Sequence, residues 1–345
     1  MSRKVLISLV SVLVLVSLGV MSCGAPAEPG GEKEITRINI AAGSPTGVTT
    51  LQSSAISGIL KKYVGVESTV LNYPSRLRDI SVGEKETQMC ISTTQMSHNT
   101  FYGLWPQGEP PYPDLREMMP TNIAPMQIWV PVESPVKTFR DLVGKTAGVG
   151  TKAMSSWDIL NESCPALGLD LEKDLNPFYS GHPEAAAALV AGKIDVYFNI
   201  SAPPQPTFAQ TDLTRPLRLI GFNDEDIQTI SEAVPGMTLM TIPPNYYHMD
   251  VAVNTVGTVH HSLTLKDFPE DIVYGLVKNT FENPDYIGYY FDSYQKFLED
   301  PDGGAKHFVE TYPVGTDIPF HKGAVRAFQD LGLHVPPERI PPEMK

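Results

Sequence analysis

The chain is short of the residues from which most recognisable catalytic and metal sites are built. Its 345 residues include three cysteines and eight scattered histidines, with no CxxC and no HxxxH spacing, so the sequence supports no metal site. It also lacks the GxSxG, P-loop and GxGxxG motifs, which argues against a hydrolase and a nucleotide-binding protein. We therefore predict no catalytic residue, no metal and no cofactor.

Basic residues are also in deficit, with 26 Lys and Arg against 39 Asp and Glu and a formal charge of −13. A nucleic-acid backbone would be repelled, so no nucleic-acid partner is expected. The hydrophobic share of 42% excludes a disordered chain, and the length allows two domains.

The N-terminus has the pattern of an export signal. Arg3 and Lys4 precede an apolar run over 5–21, and the segment from Val20 to Cys23 resembles a bacterial lipobox. We predict a lipoprotein signal peptide over 1–22, attachment of lipid (palmitate among the acyl chains) at Cys23, and a flexible tether over 23–34. Plain secretion and a retained membrane helix are the alternatives.

Two further cysteines, Cys90 and Cys164, allow two interpretations. In an exported protein they could form a disulfide, and two buried free thiols are equally compatible with the sequence.

Strand and helix patterns alternate along the body of the chain, which predicts an α/β protein with a largely parallel sheet. A first cycle has predicted strands at 35–42, 67–72 and 87–92 and helices at 49–64, 74–82 and 95–102. A second has predicted strands at 145–149, 175–179, 193–200 and 217–222, with helices at 154–167 and 183–191. The last third has a predicted strand at 251–256 and helices at 271–283, 286–298 and 321–331.

We interpret these cycles as two α/β lobes with a ligand cleft between them. Lobe 1 is predicted to comprise 35–128 and 222–345, and lobe 2 to comprise 129–221, with crossing strands near 124–130 and 217–222. Ligands of such sheets bind beyond the carboxyl ends of the strands, where helix N-termini present free amides.

Three loops at such positions combine backbone amides with hydroxyl groups: 43–47, 92–95 and 150–156. Each follows a predicted strand and opens a helix. Together they favour a site for a small anionic or polar ligand, while ordinary helix capping explains any one of them alone.

Several segments resemble the TAXI-type solute receptors of TRAP transporters. The first strand and loop, INIAAGSPTG over 38–47, resemble the opening of that family. The segments 134–150 and 184–206 resemble its "D-L-x-G-K" and "E-A-x-x-A-L … P-N-P" runs. LKDFPEDIVYGLVKNTFEN over 265–283 resembles its most specific motif.

The resemblance implies a fold like that of class II periplasmic binding proteins, and a receptor, not an enzyme, that delivers a small organic acid to the membrane permease subunits. It implies a monomer held at the periplasmic or cell-surface side of the membrane. An ABC-type receptor of the same fold is the alternative. A second alternative is an enzyme on the same scaffold. The titratable residues near the loops are Asp158, Glu162 and His182, and they form no convincing acid–base pair.

The departures from the family pattern bear on the ligand. The family's "V-Q-S-D" loop ends here at Gln95, its helix asparagine is Arg76, and Lys152 precedes its "G-S-G-T" loop. A carboxylate is lost and cations are gained, which favours a carboxylate or dicarboxylate over a glutamate-like amino acid. The predicted ligand-binding residues are Gly43, Ser44, Thr46, Gly47, Arg76, Thr93, Thr94, Gln95, Lys152, Ser155, Ser156, Gln205 and Tyr246.

Overall fold

A computed structural model describes residues 35–244, 247–311 and 318–345. The predicted signal peptide, Cys23, the tether and Tyr246 lie outside these ranges. The strands found within them are β1 (Arg37–Ala42), β2 (Glu67–Asn72), β3 (Met89–Thr93), β4 (Leu115–Pro131), β5 (Thr146–Gly148), β6 (Asn176–Phe178), β7 (Val196–Ile200), β8 (Leu217–Leu219), β9 (Thr238–Ile242) and β10 (Val253–Leu265).

Helices alternate with these strands in the first two thirds of the chain and dominate the last third. The α-helices are α1 (Val48–Ile59), α2 (Ser75–Gly83), α3 (Thr94–Tyr102), α4 (Ser155–Ala166), α5 (His182–Val190), α6 (Pro206–Asp212), α7 (Asp224–Ala233), α8 (Glu270–Glu282), α9 (Pro284–Tyr290), α10 (Asp292–Glu299), α11 (Ala305–Thr311) and α12 (Lys322–Asp330). None of the helices in the described ranges is both long and apolar enough to cross a membrane.

The strands form one sheet in the order β2-β1-β3-β10-β4-β7-β5-β6, with β8 beside β4 and β9 beside β10. Strands β1, β2 and β3 are parallel, as are β5, β6 and β7. The predicted parallel βα cycles are therefore present at both ends of the sheet. Antiparallel pairing is confined to the strands that join them.

Two long strands join the two ends. Strand β4 pairs with β10 along its first half and with β7 and β8 along its second half. The predicted crossing strand at 124–130 lies within β4. The prediction of a second crossing strand at 217–222 is wrong. Strand β8 has only three residues and pairs only with the end of β4. The second crossing strand is β10, which runs antiparallel beside β4 for most of its length.

Two main apolar cores flank this central pair. The first core is built from buried residues between 38 and 119 and between 268 and 335, with α1, α8 and α12 packed on the sheet. The second core draws on buried residues between 124 and 256, with α4 and α7 packed on the other end. The exact division into lobes at residues 129 and 222 stays a prediction.

Candidate functional site

A cavity of about 400 Å³ opens between loops from the two ends of the sheet, which is within the usual size range for a small-molecule site. The 43–49 and 72–78 segments line it from the side of the first core, together with His260 of β10. From the side of the second core it is lined by residues of 151–155, 181–183 and 199–205.

Four helices begin at the wall of this cavity without a side-chain cap. Their N-cap residues are Gly47 for α1, Pro74 for α2, Met154 for α4 and Gly181 for α5. The first amides of a helix have no partner within the helix and carry a partial positive charge. Several such ends directed at one cavity favour a ligand with negative charge.

The first loop depends on a glycine for its shape. The Gly43 N–H donates to the Thr49 hydroxyl at 3.0 Å, and a Cβ added at Gly43 would lie only 2.5 Å from that oxygen. This close approach brings the 43–47 loop against the start of α1, so that both line the cavity.

Arg78 is the one lysine or arginine among the described residues that line the cavity. It is 2% exposed. Its Nε donates to the Ser75 carbonyl at 3.0 Å, its Nη1 to the Ile91 carbonyl at 2.7 Å, and its Nη2 lies 3.8 Å from the Met96 sulfur. A guanidinium has five N–H groups, so some remain for a ligand.

No described lining residue is a carboxylate, and the hydrogen bonds of the Arg78 guanidinium within the described residues go to carbonyl groups and a sulfur, not to an acid. The neighbouring Asp79 carboxylate accepts instead from the Ser97 hydroxyl at 2.8 Å. Burial lowers the pKa of Arg78 from its ordinary value, but an arginine keeps its proton in proteins. The cavity therefore presents a permanent buried cation.

Two histidines face the cavity as neutral groups. Burial lowers the pKa of His182 to about 4 and that of His260 to about 3. The His182 Nδ1 lies 2.9 Å from the Tyr197 hydroxyl. His260 has no hydrogen-bond partner among the described residues, and its Nδ1 is fully buried. Both rings can donate or accept a hydrogen bond at neutral pH without adding charge.

The structure brings some of the predicted site residues together. Those that line the cavity are Gly43, Ser44, Thr46, Gly47, Ser155 and Gln205. Gln205 is also the N-cap of α6, since its side-chain oxygen accepts from the Phe208 amide at 2.9 Å.

The two predicted cations lie elsewhere. Arg76 is not among the lining residues and forms an ion pair with Glu109 at 3.0 Å. Lys152 lies 3.3 Å from Glu172 and over the rings of Trp157 and Tyr179. Neither residue lines the cavity, because each is held by partners outside it, and their assignment to the ligand stays a prediction.

Four more predicted residues do not line the cavity because their side chains are used for structure. Thr93 caps α3, and Thr94 donates to the Gly236 carbonyl at 2.9 Å. Gln95 donates to Glu162 at 2.7 Å, and the Ser156 hydroxyl donates to the Val149 carbonyl at 3.4 Å.

Gln95 belongs to a second feature, the α3–α4 contact, in which α3 of the first side meets α4 of the second. Both oxygens of Glu162 accept amide hydrogen bonds, one from Gln95 and one from Asn99 at 2.8 Å. No described cation pairs with Glu162. Burial raises the pKa of Glu162 to about 7, against the effect of these two donors.

The contact continues to the edge of the cavity through Ser75, at the start of α2. Its hydroxyl donates to Asp158 of α4 at 2.8 Å, and its amide donates to the Ala153 carbonyl at 2.9 Å. Burial raises the pKa of Asp158 to about 6. These bonds connect the two sides of the cavity directly beside its lining.

Cys90 and Cys164 are buried free thiols, so the disulfide is not formed. No group of three or more possible metal ligands is present among the described residues.

Comparison with known proteins identifies the fold and the family. The chain shares 15% identity and a TM-score of 0.52 with a structure from Bordetella bronchiseptica RB50, covering 86% of this chain and 98% of that one. A structure described as a periplasmic transporter is 14% identical, with a TM-score of 0.50 and coverage of 79% and 99%.

A third similar structure comes from work on glutathione import by GshT and the cystine ABC importer TcyBC of Streptococcus mutans. It is 11% identical, with a TM-score of 0.50 and coverage of 78% and 98%. These likenesses confirm the predicted fold, an α/β fold of the periplasmic-binding-protein kind. No curated protein matches the chain. The model of the NMT1-like family matches residues 40–332, and the chain therefore belongs to that family.

Proposed function

We propose that this protein is an exported solute receptor that captures a small organic anion in the cavity and delivers it to a membrane permease without changing it chemically. The observation that carries the proposal is Arg78, a buried cation in a cavity whose described lining has no carboxylate. The uncapped ends of α1, α2, α4 and α5 add positive potential to the same space.

The same charge pattern argues against an amino acid as ligand. An α-ammonium group is usually held by a carboxylate, and the candidates near the cavity, Asp79, Asp158 and Glu162, already accept hydrogen bonds from the protein. An ammonium group in the cavity would instead lie near the Arg78 charge, which costs free energy at low dielectric. A carboxylate or dicarboxylate without an amino group fits better.

The transporter type is proposed from the sequence motifs. The resemblance of 265–283 to the TAXI motif favours a TRAP-type receptor, with the predicted lipid at Cys23 holding it beside its permease. An ABC-type receptor is the second candidate, since the similar Streptococcus mutans structure is described with an ABC importer. A neighbouring gene for a fused four- and twelve-span permease supports the first, and a neighbouring ATPase gene supports the second.

Thermal-shift screening of the purified full chain against carboxylates and amino acids tests the ligand class, with two arginine variants as a matched pair. At a hundredfold excess over Kd, a ligand stabilises by about 2.7 kcal/mol, which raises the Tm by about 4 °C for a chain of this length. We expect Arg76→Met to keep the response to carboxylates and Arg78→Met to lose it, because only Arg78 lies in the cavity.

Arg78→Lys provides a second variant that retains the charge if the methionine variant does not fold. Stabilisation by amino acids alone, or an undiminished carboxylate response in Arg78→Met, would refute the proposal. Arg78→Lys keeps the charge but loses the planar fork of N–H groups, so we expect it to keep a weakened response.

A further inference from the structure

His260 is a polar side chain in the cavity wall for which the protein supplies no partner. It is 2% exposed and lies on β10. No described residue forms a hydrogen bond with either ring nitrogen, and Nδ1 is completely buried. Buried polar groups in proteins are nearly always hydrogen-bonded, so an unpaired one in a cavity calls for a partner from outside the chain.

The other buried polar side chains on this wall are satisfied within the protein. His182 lies against the Tyr197 hydroxyl, and Asn199 donates to the Ser201 hydroxyl at 3.1 Å. His260 therefore differs from them in that its Nδ1 has no partner within the described part of the protein.

The position of His260 relative to Arg78 follows from the strand register. Arg78 is bonded to the carbonyl of Ile91 on β3, and His260 pairs with Thr93 on the same strand. Two residues along a strand span about 7 Å. Both side chains line the cavity, so one small ligand can contact both.

The electrostatic states of the two groups are complementary. Arg78 is permanently charged, and its charge adds to burial in lowering the pKa of His260 to about 3. The imidazole is therefore neutral at physiological pH and offers one N–H donor and one nitrogen acceptor. The pair presents one cation and one neutral hydrogen-bonding group in the lining of the same cavity.

We propose that His260 is a specificity-determining residue that hydrogen-bonds an oxygen next to the anionic group of the ligand, so that the site selects monocarboxylates with a hydroxyl or carbonyl oxygen on carbon 2. The carboxylate binds the free N–H groups of Arg78, and the oxygen on carbon 2 reaches the imidazole. A ligand without that oxygen leaves His260 unpaired, which is how sites built for a hydroxyl or carbonyl reject simpler analogues. This inference rests on the proposed function and narrows its ligand class.

Isothermal titration calorimetry of the purified full chain with matched acids tests the inference. One set is propionate, lactate and pyruvate, and a larger set is phenylacetate, mandelate and phenylglyoxylate. Alanine and malonate test an amino group and a second carboxylate at the same place. We expect the wild type to bind at least one 2-oxygenated acid about tenfold or more tightly than its plain analogue, the size of one well-placed hydrogen bond.

His260→Phe keeps an aromatic ring and removes both nitrogens, so we expect it to bind all members of a set with the affinity of the plain acid. His248→Phe is the matched control, since it makes the same substitution at a histidine that is not among the lining residues, and we expect it to keep the ratio between acids. His260→Gln, which retains a donor and an acceptor, should keep part of the ratio.

A wild type that binds plain and 2-oxygenated acids equally, or prefers malonate or alanine, overturns the inference, and this result does not depend on any variant folding. A preference that survives in His260→Phe also overturns it. If either result is found while carboxylates still bind and Arg78→Met abolishes that binding, the proposed function still holds. If no acid binds the wild type and Arg78→Met changes nothing, the proposed function falls and the inference with it.

Discussion

The α3–α4 contact makes the stability of the protein depend on pH through one carboxyl group. Glu162 has a pKa of about 7 in the folded protein because burial disfavours its charge, while in the unfolded chain it returns to 4.5. Between these values the folded state holds a proton that the unfolded state has released. The stability due to Glu162 is therefore fully present below about pH 4.5 and is lost as pH rises through about 7.

The magnitude follows from the shift in pKa. At 1.36 kcal/mol per pKa unit the shift corresponds to about 3 kcal/mol, and partial exposure of the carboxyl group reduces this to about 2 kcal/mol. Glu162→Gln removes the titration and keeps a polar group beside Gln95 and Asn99. We expect the variant to match the wild type near pH 5 and to exceed its free energy of unfolding by about 2 kcal/mol at pH 7.5.

Urea unfolding followed by circular dichroism at pH values from 5 to 7.5 measures this difference. The buried histidines are common to both proteins and cancel when the two curves are subtracted. Asp158 titrates in both proteins as well, and its charge contributes to the raised pKa of Glu162. Glu172→Gln is the control, because Glu172 is exposed and its hydrogen bonds to Tyr179 and Lys152 lower its pKa below 4.5, outside this range. Parallel curves for the wild type and Glu162→Gln would refute the reasoning.

Two further substitutions test how the site and the first core are built. Gly43→Ala places a Cβ against the Thr49 hydroxyl, so we expect the 43–47 loop to be displaced. The free energy of unfolding should fall by about 1–3 kcal/mol, and calorimetry should show weaker ligand binding. Unchanged binding would contradict the role of this close approach. Glu117→Ala removes the buried carboxylate that lies 2.8 Å from both His261 and Arg339. We expect urea unfolding to show a free energy of unfolding about 3–5 kcal/mol lower than that of the wild type. A decrease of less than about 1 kcal/mol would contradict a stabilising role of this carboxylate.

Local sequence patterns predict the two ends of the sheet well. The predicted strand at 67–72 coincides with β2, and most helices of the two cycles begin or end within two residues of their predicted bounds. Hydrophobic periodicity and glycine or proline stops are sufficient there, because each strand and its helix are neighbours along the chain.

The same patterns fail for the strands that join the two ends. Strand β10 was predicted only as 251–256, although it continues to Leu265. Its second half is buried but carries threonine, serine and two histidines, of which His261 finds a partner on α3 and Ser262 one on β4. Such partners come from residues far away in sequence, so a local hydrophobic pattern does not contain them.

The site shows the same limit. Arg76 and Arg78 lie two residues apart on α2 and therefore face different sides. The sequence pattern favours Arg76 as the ligand-binding cation, whereas Arg78 lines the cavity. Ser75, Arg78, Asp79 and Val82 are all buried on this helix, at the spacing of one helical face. The sequence alone shows this spacing. It does not show whether the helix face that carries Arg78 lies against solvent, against the core or against a cavity.

Two buried free cysteines of the described residues, Cys90 and Cys164, can report on motions of the protein. Cys90 lies on β3, on the side of the first core, and Cys164 lies on α4, within the second core. Burial raises the pKa of both thiols, that of Cys164 to about 12, so neither reacts as a thiolate until its surroundings open. Rigid rotation of the two sides about β4 and β10 leaves both thiols protected, whereas local unfolding exposes one of them. The rates of thiol labelling thus separate hinge motion from partial unfolding and assign the latter to one end of the sheet.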